Sequence, residues 1–210
     1  MHDLYVVTHP QAEHTERGLV GGWYNSQLTP QGRLDARLVA EELMRRCRDT
    51  TRPVRITTSD LSRCAETAEI LAARLGAPVT EDARLREISF GEAEGKSRVW
   101  LADREVSAPD HDRLDYRGPI AGAETRREVA TRVGDCVREL MADGDHTHVV
   151  VTHGFAQIFV ITTWLQIPVE SAGFLSFAPK PGSITHLQHD DYWRNRTVAA
   201  LAETSHLKTG

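Results

Sequence analysis

Two histidines stand where a short apolar run stops. Leu4-Tyr5-Val6-Val7-Thr8 leads into His9-Pro10, and Thr147 to Thr152, with Val149-Val150-Val151 at its centre, leads into His153-Gly154. Between them Val54 to Thr58 leads into Ser59-Asp60-Leu61-Ser62-Arg63. A neutral imidazole can act as a nucleophile or carry a proton, and a guanidinium offers a planar fork of donors suited to oxyanions. Each residue also has a plainer reading. A histidine can simply end a strand, and an arginine on a helix can simply face water. Placement favours chemistry, because open parallel sheets bind their ligands beyond the carboxyl ends of their strands.

The elements that would position these groups are legible in the pattern. The three apolar runs read as buried strands. Thr29-Pro30 opens a helix with Thr29 as N-cap, and Leu34, Leu38, Val39 and Leu43 form its apolar face. Ser59-Asp60 reads as the cap of a helix through Leu75, with Ala65, Ala68, Leu71, Ala72 and Leu75 on its inner side. Val129, Val133, Val137 and Leu140 recur at helical spacing, and Phe155 to Leu165 reads as a further helix. Leu175 to Phe177 and Ser183 to Leu187 read as two closing strands. Residues 91–122 are polar, punctuated by Gly, Pro and Asp, and read as a small lid insertion. The last eight or so residues carry no pattern. Strands alternating with helices predict an α/β fold, a mostly parallel central sheet covered by helices on both faces.

Composition narrows the function further. The chain has 210 residues, 40% of them hydrophobic, which suits a single domain. Its net charge of −5 argues against a nucleic-acid partner. No stretch is long and apolar enough for a membrane span, and the first residues lack a secretory pattern, so a cytoplasmic location is expected. Cys47, Cys64 and Cys136 are scattered with no CxxC pair, which predicts neither disulfides nor a zinc knuckle. Cys47 and Cys136 read as buried helix positions. His9 and His14, even with His111 or the His186/His189 pair, match no metal-ligand spacing, and His146 and His148 read as facing water. No metal and no cofactor are therefore expected.

Six motifs appear in order along the chain: the strand ending in His9; Gly22-Trp23 with Leu28-Thr29-Pro30-Gln31-Gly32; Ser59 to Thr67; Leu85 to Gly91 with Glu94-Gly95; Gly122-Ala123-Glu124-Thr125; and Val151-Thr152-His153-Gly154. Together they resemble the histidine phosphatases and cofactor-dependent phosphoglycerate mutases, over nearly the whole length. The resemblance implies a phosphoglycerate mutase-like fold and assigns roles. His9 would be the nucleophile that takes up a phosphoryl group. Arg63 would clamp the phosphate oxygens, and His153 would donate a further hydrogen bond. Glu87 would protonate the leaving oxygen and then activate water. The implied partner is a small phosphorylated metabolite such as a sugar phosphate or nucleotide. The resemblance is also compatible with a homodimer, which no feature of the sequence itself indicates.

One triplet departs from the family pattern. Where the family has Arg-His-Gly, this chain has Thr8-His9-Pro10. The missing guanidinium would remove a charge-assisted donor worth about 1.5–3 kcal/mol. Thr8 itself, with His14 and Arg17 in the following loop, becomes the expected phosphate-binding set, the latter two as replacement cations. Trp23 is expected to wall the substrate pocket. The competing readings are a non-catalytic phosphometabolite-binding pseudoenzyme and a relative repurposed for other chemistry. A mutase is disfavoured, because the short insertion mixes Asp103, Arg104, Glu105, Asp110, His111, Asp112, Arg113 and Asp115 and offers a bisphosphate little net attraction. Hydrolysis without metal is the expected reaction.

Overall fold

Continuously apolar strands need cover on both faces, and that requirement organises the chain. A computed structural model describes residues 2–48 and 50–208. In chain order the elements are β1 (His2–Thr8), α1 (Glu13–Glu16), α2 (Pro30–Arg46), β2 (Val54–Thr58), α3 (Ser62–Leu75) and β3 (Val79–Glu81). Then follow α4 (Arg98–Ala102), α5 (Arg126–Ala142), β4 (Thr147–Thr152), α6 (Ala156–Trp164), β5 (Ile184–His189) and β6 (Arg196–Glu203). The sheet order is β3-β2-β4-β1-β5-β6. β3, β2, β4 and β1 run parallel, and β5 and β6 join antiparallel at one edge.

Alternate residues of the strands feed two cores. Leu4, Val6, Val150 and Leu187 pack against Val129, Val133 and Val137 of α5 and Phe159 and Val160 of α6. Tyr5, Val7, Ile56, Val149 and Val151 pack against Val39 and Leu43 of α2 and Cys64, Ala68 and Leu71 of α3. A smaller cluster of Val20, Ala93, Ile120 and Ala123 ties the lid segment to the loop after β1. No helix among the described residues is long and apolar enough to cross a membrane.

Thr29 caps α2 as expected, its side chain accepting from the Gly32 N–H at 3.0 Å. Gly32 must stay glycine, because a Cβ there would sit 2.1 Å from the Gln11 carbonyl oxygen. That contact fixes α2 against the loop after β1. All three cysteines are free and buried.

Several expectations need correction. α3 begins at Ser62 and its N-cap position is Leu61, so Ser59-Asp60 does not cap it. Its buried side is turned toward Arg63, Cys64 and Thr67 as well as Ala68 and Leu71, while Ala65, Ala72 and Leu75 are only partly covered. Leu34 is 50% exposed, because Ala36 and Ala40 take the inward positions of α2. Leu175 to Phe177 forms no strand and follows a 3-10 turn, Val169–Phe174. The second closing strand is Arg196–Glu203, whose run of alanines carries no β signal and which sits at the sheet edge. β3, three exposed residues long, is likewise too short for any pattern. The tail has structure as far as residue 208: Ser205–Leu207 form a 3-10 turn and Leu207 packs on the α2/α3 core. Residues 209 and 210 lie outside the described residues. His148 is 4% exposed and does not face water.

Candidate active site

The sheet order alone brings the candidate groups together. β2, β4 and β1 are neighbours, and Thr8 pairs with Thr152 in the last register position. The next residue on each strand is a histidine, so His9 and His153 are forced side by side. Their ring centroids are 5.2 Å apart, edge to face. The His9 N–H donates to the Thr152 carbonyl and the Ser59 N–H to Val151, which continues the ladder past the strand ends.

His9 Nδ1 lies 2.7 Å from the Pro10 carbonyl oxygen. A carbonyl only accepts, so Nδ1 carries the proton and Nε2 keeps its lone pair. The Arg63 Nε–H donates to that Nε2 at 3.2 Å. Burial first, then the Arg63 charge, hold the His9 imidazole well below the usual range. His9 is therefore neutral near pH 7 and aims an unprotonated nitrogen at the guanidinium.

Arg63 is 1% exposed, and its other two nitrogens are also engaged. Nη1 donates to the Tyr24 carbonyl at 3.0 Å and Nη2 to the Gly22 carbonyl at 2.7 Å. Gly22 adopts φ +57°, which turns its carbonyl toward the guanidinium. The Gly22-Trp23-Tyr24 turn thus clamps the arginine from behind and leaves its plane beside His9. His153 is fully buried, with Nε2 2.9 Å from the Ser59 hydroxyl and 3.4 Å from Cys64 Sγ. Burial and the neighbouring Arg63 keep it neutral as well.

Glu87 comes from the loop after a 3-10 turn, Ala83–Leu85. Its carboxyl receives the N–H groups of Phe155 and Ala156 at 3.1 Å, so it sits at the start of α6 directly after His153. The Ile88 N–H also donates to it. Desolvation outweighs these donors and raises its pKa above the usual carboxylate range. Trp23, 37% exposed, donates from Nε1 to the Glu87 carbonyl at 2.7 Å and carries Arg86 over its ring. It forms the rim beside the acid.

The other expected phosphate-binding residues lie differently. The Thr8 hydroxyl donates to the Lys180 carbonyl at 2.5 Å and lies 2.9 Å from Ser183 Oγ, tying the end of β1 to the 180–183 turn. His14 is near His9, with ring centroids 6.2 Å apart. It is buried and bonded to Ser26 Oγ at 2.6 Å, and burial with the Arg63 and Arg98 charges lowers its pKa to about 4. His14 is thus uncharged near neutrality and does not replace the arginine's charge. Arg17 is exposed at the end of α1, without a side-chain hydrogen bond or ion pair among the described residues.

Protonation of His14 is penalised only in the folded state. Its folded pKa of about 4 lies below the ordinary 6.5, so stability is full above 6.5 and falls as pH drops toward 4. His14→Gln is expected to flatten the decline in melting temperature between those pH values, by about 3 kcal/mol at most. An unchanged pH dependence of unfolding would show that His14 titrates normally.

Sequence reasoning missed the support of Glu87. The Arg132 guanidinium pairs with Glu124 through Nε at 2.9 Å and Nη2 at 2.8 Å. It also donates to the carbonyls of Arg84, Arg86 and Glu87 at 2.8, 2.6 and 2.8 Å. Glu124 in turn accepts from the Ser89 N–H. The Gly122-Ala123-Glu124-Thr125 motif is visible in sequence, but nothing in the spacing points to Arg132. Arg132→Met strands a half-buried carboxylate and three carbonyls, so a loss of about 3 kcal/mol is expected in urea unfolding, with a lower kcat. A variant as stable and as active as wild type would remove Arg132 from the support of this loop.

Residues 4–200 match the family model of the histidine phosphatase superfamily, branch 1. The chain belongs to that superfamily. Within it, the chain is 33% identical over 162 residues to a putative phosphoserine phosphatase 2 of Hydrogenobacter thermophilus, covering 73% of this chain and 74% of the relative. It is 30% identical over 173 residues to a probable phosphoglycerate mutase of Serratia proteamaculans, covering 80% and 77% of the two chains. Among solved structures it resembles a mycobacterial glucosyl-3-phosphoglycerate phosphatase complexed with VO3, with a TM-score of 0.80 and 27% identity. That likeness covers 97% of this chain and all of the other. This histidine phosphatase is accordingly a phosphatase of the phosphoric monoester hydrolase class.

Proposed function

We propose that this histidine phosphatase hydrolyses a small phosphorylated metabolite, without a metal, through a phosphohistidine on His9. The observation that carries the reading is the His9 tautomer. Pro10 holds the proton on Nδ1, which leaves Nε2 as the available nucleophile at neutral pH.

Phosphate binding exchanges one hydrogen bond for another. The Arg63 Nε–H, which now rests on His9 Nε2, moves to an incoming phosphate oxygen and frees the nitrogen lone pair. Nε2 attacks phosphorus, the bond to the leaving oxygen breaks, and Glu87 gives that oxygen its proton. Water then attacks the phosphohistidine, Glu87 takes the water's proton, and the P–N bond breaks to return neutral His9. Arg63 and His153 stabilise the equatorial charge of both transition states. The dianion beside Glu87 raises its pKa further, in the direction the acid role needs.

Thr8 in place of the family arginine leaves Arg63 as the principal guanidinium at the nucleophile. That arrangement supports a monophosphorylated substrate over a bisphosphate, and hence hydrolysis over mutase chemistry. A panel of sugar phosphates, nucleoside monophosphates and phosphorylated hydroxy and amino acids, assayed for phosphate release in EDTA, tests the reading. Turnover of at least one substrate at a rate unaffected by EDTA is expected. Ligand-induced thermal stabilisation without turnover would favour a binding protein instead.

A further inference from the structure

The opposite end of the sheet gathers a second set of histidines. His2 pairs with His189 across β1 and β5, and Leu4 pairs with His148 of β4. Side chains two apart on a strand share a face, so His2, His148 and His189 lie on the α5/α6 side, at the foot of the strands, and His146, just before β4, joins them. They line a cleft of about 130 Å³ closed by Trp164 and by the last turn of α5. β1 separates this cleft from His9 by seven residues, about 23 Å.

From this arrangement we infer a binding site for one divalent transition-metal ion, held by His2, His189 and Asp191. His2 Nε2 is 2.9 Å and His189 Nδ1 3.7 Å from the same Asp191 oxygen. All three donor atoms lie within 4.8 Å of one another. Zinc bonds of about 2.0–2.2 Å in a tetrahedron need ligand separations near these values, and a His2Asp set leaves the fourth position to water. Imidazole and carboxylate donors select the zinc, nickel and copper group over calcium or magnesium.

Two independent features favour a cation with a polar shell. α5 and α6 both end at the cleft, and helix C-termini carry partial negative charge. His148 Nδ1 and Trp164 Nε1, both buried in the cleft wall, have no hydrogen-bond partner among the described residues, and such atoms are costly unless a bound group or its water satisfies them. Arg196 is the opposing charge, drawn aside over the Trp164 ring at 5.1 Å. No spacing in the sequence suggested this set, since His2 and His189 meet only through antiparallel pairing.

The test is zinc binding by the full chain after chelator stripping, measured against a chromophoric competitor. One Zn2+ per chain is expected for wild type and for His9→Ala. His189→Ala and, separately, His2→Gln are expected to bind at least about tenfold more weakly while retaining wild-type phosphate release. Co2+ substitution is expected to give a visible d–d band that His189→Ala abolishes. No binding, binding indifferent to both foot-of-sheet variants, or binding lost in His9→Ala would each overturn the site.

Discussion

His9→Ala is expected to lower phosphate release by at least about three orders of magnitude, with little change in melting temperature. The expectation follows from the division of labour at the strand ends. On the proposed reading Arg63 and His153 stabilise charge, Glu87 moves a proton, and His9, with its proton on Nδ1 and its Nε2 lone pair beside Arg63, attacks phosphorus. Removing His9 converts a two-step displacement into direct attack by water, for which no positioned base is in line. Quenching wild type in alkaline detergent during turnover of a 32P-labelled substrate should trap an alkali-stable adduct that acid then hydrolyses and that the variant lacks. Residual activity within tenfold of wild type would overturn the phosphohistidine reading.

Glu87→Gln is expected to cost about 10²- to 10⁴-fold in kcat for a substrate with an alkoxide leaving group. The loss in kcat/KM, which reports transfer to His9 and not the later attack of water, should shrink sharply with p-nitrophenyl phosphate, whose leaving group departs without a proton. The pH profile supplies a second readout. His9 is held well below 6.5, so kcat/KM rises as pH climbs through that depressed value and the imidazole becomes neutral. Glu87 is raised above 4.5, so activity falls as pH passes through its raised value and the acid ionises. The product is a bell whose acid limb belongs to His9 and whose alkaline limb belongs to Glu87, and Glu87→Gln should remove the alkaline limb alone. An equal loss with both leaving groups, or an unchanged alkaline limb, would assign proton transfer to another group.

These two expectations rest on an electrostatic contrast between neighbouring groups. Burial drives His9 and Glu87 in opposite directions, because desolvation disfavours a charged imidazole and a charged carboxylate alike. Each is thereby shifted toward the uncharged form that its proposed role requires. His14 obeys the same rule and is neutral for the same reason, which is why a histidine near the nucleophile adds no positive charge. Arg17 is exposed and stands apart from the buried set.

How much was legible in the sequence can be read residue by residue. Continuous apolar runs ending in His9, Ser59 and His153 were enough to identify the central strands, because only a doubly covered sheet buries such runs. Thr29-Pro30 and the α5 periodicity placed two helices, since caps and 3.6-residue spacing are local properties. The motif order was enough to place the chain in its family. The sixth strand, Arg196–Glu203, was not legible, because its alanines are neutral to strand formation and only its pairing with β5 makes it one. Nor were the partners of the site residues. Pro10, which fixes the His9 tautomer, acts through a backbone carbonyl that any residue would carry. Arg132 supports Glu87 from 45 positions away in the chain, and His2 meets His189 across 187. Which groups are chemically capable is a property of residue type, and sequence by itself determined that. Which of them share a dielectric, a hydrogen bond or a face depends on distances set by sheet register and packing, and only the tertiary structure decided it.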